Sequence, residues 1–81
     1  MGTRSRPKPK HLAKKLKQVR VTLGLSQNEL IERLGVDEPI VRSTISAFER
    51  GVREPSYPVL LKYARLGGVS TDVLIDDYLE L

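Results

Sequence analysis

The chain has no cysteine and only one histidine, His11. Disulfide frameworks and thiolate metal sites are therefore excluded, and one imidazole cannot hold a metal by itself. A cysteine-free chain suits a reducing compartment, and the cytoplasm is the expected location. Long apolar runs are also missing: none approaches the roughly 18–20 residues that span a bilayer. The N-terminus is basic but lacks the apolar stretch of a signal peptide. Met1-Gly2 resembles a myristoylation start, but Arg6 stands where that motif wants Ser or Thr. No nucleophile–base pairing, metal cluster or phosphate loop is present. Asp72, Asp76 and Asp77 read as first-turn and surface charges, not as an acid–base pair. The expectation is a protein that is not an enzyme and carries no cofactor, no metal and no membrane anchor.

What the chain does have is charge, unevenly placed. Its 81 residues carry a net charge of +4, and that length corresponds to one small domain. The first twenty residues hold Arg4, Arg6, Lys8, Lys10, Lys14, Lys15, Lys17 and Arg20 with no acid. Beyond Arg65 the only charges are Asp72, Asp76, Asp77 and Glu80. The basic pole would be drawn to a polyanion, releasing counterions as phosphates are neutralised. A solubilising tail is the alternative.

Residues 1–10 read as a flexible basic arm, since Arg6-Pro7-Lys8-Pro9 favours extended geometry. Residues 11–81 read as one all-α domain of five helices. Leu12, Leu16, Val19 and Leu23 recur at helical spacing and place helix 1 near 11–22, with Lys14, Lys15, Lys17 and Gln18 on its wet side. Gly24 is the expected stop. Ser26 and Glu29 form a capping box that opens helix 2 near 27–34, with Leu30, Ile31 and Leu34 inward and Gly35 as its end. Val41, Ile45 and Phe48 mark the inward face of a third helix that closes at Gly51. Ser56 caps helix 4, whose packing face is Leu60, Leu61, Ala64 and Leu66, stopped by Gly67-Gly68. Ser70 caps helix 5, with Leu74 and Tyr78 inward.

Three stretches carry a resemblance. They are Gly24-Leu25-Ser26-Gln27-x-Glu29-Leu30; Leu34-Gly35-Val36; and Ser43-Thr44-Ile45-Ser46-x-x-Glu49-Arg50-Gly51-x-Arg53-x-Pro55-Ser56. Together with the ending Gly68-Val69-Ser70-x-Asp72-x-Leu74, they resemble the Cro/XRE-type, phage-repressor-like helix-turn-helix family over roughly residues 12–77. The resemblance implies a five-helix bundle and a sequence-specific regulator of double-stranded DNA, of repressor or autoregulator type. In such motifs the second helix of the pair lies in the major groove and meets base edges with its N-terminal residues. The expected base contacts are Arg42, Ser43, Ser46 and Ala47. Arg42 suits guanine, the serines several bases, and Ala47 a thymine methyl. Gln27, Thr44, Arg50 and Arg53 are expected on the phosphate backbone. Arg20 and Glu49 are expected to form a structural ion pair. The alternative for the polar face of helix 3 is an ordinary solvated surface.

The chain departs from the family at the turn. Asp37-Glu38-Pro39-Ile40-Val41 stands where the family usually has about one residue. Four extra residues are close to one helical turn, so the expectation is a recognition helix prolonged at its N-terminus, capped by Asp37 or Glu38. Those two carboxylates would then stand near phosphates, accept from a cytosine amine, or point aside in a longer turn. Val73, Ile75 and Leu79 in the greasy C-terminal segment suggest a homodimer surface. The rival function is a protein-interaction or antitoxin-type module that keeps the fold and binds a protein partner through its last helix.

Overall fold

The computed structural model describes residues 9–81. The arm expected over 1–10 therefore lies outside the described residues except for Pro9 and Lys10. Regular structure among the described residues is helical throughout: α1 Leu12–Thr22, α2 Gln27–Leu34, α3 Arg42–Glu49, α4 Tyr57–Gly67 and α5 Thr71–Ile75. None of these helices is long and apolar enough to cross a membrane.

The core follows from the apolar spacing. Leu12, Leu16 and Val19 come from α1, Leu30 and Leu34 from α2, and Ile45 and Phe48 from α3. Val59, Leu60, Tyr63 and Ala64 come from α4, and Leu74 from α5; all are buried in one cluster. Each i, i+3 or i, i+4 step keeps these side chains on one stripe of its helix. Burying a Leu or Ile stabilises by about 1.5–3 kcal/mol. Truncating the fully buried Leu16 to alanine would forfeit about 2–5 kcal/mol.

Helix α2 forms as its capping residues dictate. The Glu29 N–H donates to Ser26 Oγ at 3.1 Å, and the Ser26 N–H donates to Glu29 Oε1 at 2.8 Å. Its end is Gly35 at φ +56°, the left-handed geometry that glycine adopts cheaply. Helix α4 is capped by Ser56, whose Oγ accepts from the Val59 N–H, with Pro58 in the first turn.

The third helix is not prolonged. It starts at Arg42, and Val36–Val41 is a turn. Glu38 does not cap α3, because its carboxylate accepts from the Ser56 hydroxyl at the start of α4. Ile40 packs against the core, and the Val41 N–H donates to Thr44 Oγ1 at 3.3 Å, which makes Val41 the N-cap. The adjacent β-branched residues Ile40 and Val41 also favour extended backbone over helix. Val41, expected inward, is instead 59% exposed, because it precedes the helix whose phase would have buried it.

Other expectations fail as well, some for local reasons and some through distant partners. α5 ends at Ile75, so Tyr78 lies beyond it and is almost fully exposed. Leu23 and Leu61 sit at the margin of their stripes and are exposed. Ser70 occupies the N-cap of α5, but its side chain accepts no capping bond. Lys15, expected on the wet side of α1, is buried. Its ammonium donates to the carbonyls of Val73, Asp76 and Leu79 at 2.7, 2.8 and 2.8 Å, binding α1 to the end of α5. Asp77 is the reciprocal clasp: its carboxylate accepts from the Lys10 and His11 N–H groups at 3.0 and 3.1 Å. Lys10 is thus tied to the domain.

Candidate nucleic-acid interface

The helix-turn-helix brings the N-terminal ends of α2 and α3 side by side, and one chain of side chains joins them. Arg42 Nε donates to Gln27 Oε1 at 3.3 Å. Gln27 Nε2 donates to Glu49 Oε1 at 3.4 Å. Glu49 in turn receives Arg20 through two bonds, Nε to Oε2 at 2.6 Å and Nη2 to Oε1 at 3.0 Å. The remaining Arg20 amine, Nη1, donates to the Leu25 carbonyl at 2.9 Å, in the connection from α1 to α2.

This network is graded from inside to outside. Glu49 is 5% exposed at its side chain and Arg20 16%, whereas Arg42 is exposed. The Arg20–Glu49 pair is a two-point, charge-assisted contact shielded from water, the geometry that holds a guanidinium most firmly. The bond to Glu49 raises the Arg20 pKa above its ordinary value, outweighing the opposing effect of burial. Arg20 therefore stays cationic and serves as a strut between α1 and α3. Gln27 sits midway, half-buried, its amide spent on one internal and one surface partner.

On α3, Arg42 and Ser43 are exposed, Ser46 and Ala47 half-buried, and Arg50 exposed, while Ile45 and Phe48 face the core. Arg50 Nε donates to Ser46 Oγ at 3.2 Å, one helical turn apart. The loop after α3 folds back on it: the Val52 and Arg53 N–H groups donate to the Ala47 carbonyl at 3.0 and 3.3 Å. That keeps the exposed Arg53 beside the outward face of α3. Thr44 is the exception among the expected contacts. It is 8% exposed and its hydroxyl accepts the Val41 N–H, which ties it to the start of its own helix.

Two open clefts flank the motif and share no residue. The first, about 470 Å³, is lined by Arg20, Ser26, Gln27, Asn28 and Arg42. The second lies behind the turn and is lined by Gly35, Val36, Asp37, Glu38, Pro58 and Lys62. The Glu38 carboxylate, bonded to Ser56, therefore leans toward α4 and not toward the Gln27–Arg42 surface. Asn28, which the sequence pattern did not single out, also lines the first cleft. The available signal was its position, directly after Gln27 at the N-terminus of α2, where the first backbone N–H groups lack intrahelical partners. At the other end of the molecule, Ile75 and Leu79 are exposed and Val73 is half-buried.

Residues 13–80 match the family model described as a helix-turn-helix domain. The chain is 38% identical over 64 residues to the HTH-type transcriptional regulator ImmR of Bacillus subtilis (strain 168), a stretch that is 79% of this chain and 47% of that protein. It thus spans about half the length of that curated relative. Among solved structures it is similar to the SinR protein/SinI protein complex, with a TM-score of 0.69, 32% identity, and coverage of 83% of this chain and 62% of that one. It is also similar to SinR, the master regulator for biofilm formation, in complex with DNA. There the TM-score is 0.64, the identity 33%, and the coverage 78% of this chain and 95% of that one.

Proposed function

The chain belongs to the helix-turn-helix domain family, and we propose that it is a sequence-specific transcriptional regulator that binds duplex DNA, of repressor or autoregulator type. The observation that carries this is the Arg42–Gln27 bond, which joins the N-terminal ends of α2 and α3 in one exposed polar surface. Arg42 reads guanine through its O6 and N7. Ser43 and Ser46 serve as adaptable hydroxyls, and Ala47 allows close approach. Gln27 donates to a phosphate beside the α2 N-terminus, and Arg50 and Arg53 contact flanking phosphates. A solved relative bound to DNA supports the reading.

With duplex DNA as partner, the cytoplasm is the compartment proposed. A homodimer through Ile75, Leu79 and the edge of Val73 would present two recognition helices to half-sites about 34–36 Å apart. One solved relative is a complex of two different proteins, so the same apolar end is also the place proposed for a protein partner.

Binding of the intact chain to duplexes enriched from a random library, titrated against salt, tests the function. Affinity should fall linearly with the logarithm of salt concentration, at a slope near −0.9 per neutralised phosphate. Undetectable binding even at low salt would overturn the DNA reading.

A further inference from the structure

We propose that Val41 is a specificity-determining residue that reads the methyl group of a thymine next to the base pair read by Arg42. The proposal rests on the DNA reading given above. Two local rules are broken at Val41 together. It occupies the N-cap of α3, where Ser, Thr, Asp or Asn would accept a backbone N–H and valine cannot. It also leaves 59% of its surface in water, whereas the other β-branched side chain beside it, Ile40, packs against the core.

The surroundings say what the side chain can meet. Val41 is followed by two exposed polar residues, Arg42 and Ser43, so it stands alone at the reading end of α3. Its backbone is held from both sides. The N–H donates to Thr44 Oγ1, and the carbonyl accepts from the Thr44 and Ile45 N–H groups at 2.9 and 3.3 Å. The side chain is thus presented from a fixed position. Arg42 is similarly steadied by Gln27 through Nε, which leaves its two Nη amines for a guanine. Consecutive Cα atoms lie about 3.8 Å apart, and stacked bases about 3.4 Å. Two exposed side chains this close together at the start of a helix can reach bases within one or two steps of each other. The one base feature in the major groove that rewards an isolated apolar group is the C5-methyl of thymine.

The test uses duplexes enriched by the intact chain, in which each thymine is replaced in turn by deoxyuridine, which lacks only the methyl. Wild-type protein should lose about three- to fivefold in affinity at one position per half-site, within two base pairs of the guanine whose loss the Arg42→Ala variant tolerates. Val41→Ser restores a capping side chain and should keep or raise the melting temperature, which separates recognition from folding. In that variant the penalty at that one position should disappear while penalties at other thymines persist. If Val41→Ser binds and shows the same deoxyuridine penalties as wild type at every position, the proposal is overturned. If no duplex is enriched at all, the DNA reading itself fails, a distinct result.

Discussion

The Lys15 ammonium on α1 donates to the Val73 carbonyl of α5 at 2.7 Å, across 58 residues of sequence. Two more carbonyls, of Asp76 and Leu79, converge on the same nitrogen. The end of a helix leaves its last C=O groups without intrahelical partners, and a cation there also suits the helix dipole. α5 has only five residues and would not persist alone. Its position depends on the packing of Leu74 and on this ammonium.

Lys15→Met should therefore loosen the C-terminal segment out of proportion to the volume change. Methionine refills the space but takes the ammonium from three carbonyls, of which only that of Asp76 keeps another donor, the Leu79 N–H at 3.1 Å. The expected loss is about 2–3 kcal/mol, read as a lower urea midpoint, with faster amide exchange over residues 73–79. An unchanged midpoint would mean that the carbonyls are served by water and that Lys15 is dispensable.

Tyr63 presents the opposite case. Its side chain is fully buried on α4, and its hydroxyl finds no hydrogen-bond partner among the described residues. Burial, helped by the nearby Glu49 carboxylate, pushes the phenol well above its ordinary range. An acid whose folded pKa is raised contributes no penalty while neutral. It costs stability as pH rises past the unfolded value of about 10. Tyr63→Phe should be neutral or stabilising by up to about 1 kcal/mol at pH 7, because it removes a desolvated, unsatisfied hydroxyl. It should also remove part of the alkaline loss. A clear destabilisation by this substitution would show that the hydroxyl has a partner.

Acid should act through Asp77 and Glu29. The Lys10 N–H, and after it the His11 N–H, hold the Asp77 carboxyl below the usual carboxylate range. The Ser26 N–H does the same for Glu29, seconded by the Ser26 hydroxyl. For such depressed groups the stabilisation is fully present above the unfolded pKa of about 4, and it is lost as pH falls through the folded value. The melting temperature should be flat from pH 7 to 5 and drop below about pH 4. Asp77→Asn should lower it at pH 7 and make the acid limb shallower. If that limb keeps its steepness in the variant, the clasp between Asp77 and the start of α1 contributes little.

The contrast between these residues explains what could be read before the fold was known. Ser26, Glu29 and Gly35 act on partners within four residues, so α2 was legible to its ends. The inward Leu16, Leu30, Ile45, Phe48 and Leu74 follow from helical period alone. The partners of Lys15 and Asp77 lie 58–67 residues away, and no local pattern announces them. The turn was misread for the same reason. Asp37-Glu38-Pro39 is an acceptable helix start in isolation, and it is overruled by Ser56 on α4 and by the burial of Ile40. Within the site, Arg42 and Arg53 were legible as exposed cations. The place of Thr44 was not legible, because its exposure depended on which residue became the N-cap.

Arg42 and Arg53 should fail in different ways when removed. Arg42 is exposed at the start of α3 with Nε already bonded to Gln27, a geometry suited to a planar, two-point contact with one base. Arg42→Ala should cost about 1–3 kcal/mol on the enriched duplex and relax preference at one base pair. Arg53 lies on the loop after α3, where a cation meets phosphates and carries no sequence information. Arg53→Ala should weaken all duplexes about equally and reduce the slope of log affinity against log salt by about one. Both measurements come from the same titrations, with the Arg20–Glu49 strut intact in each variant. A uniform loss for Arg42→Ala with unchanged base preference would move that residue to the backbone, and the guanine-reading role would have to pass to Ser43 or Ser46.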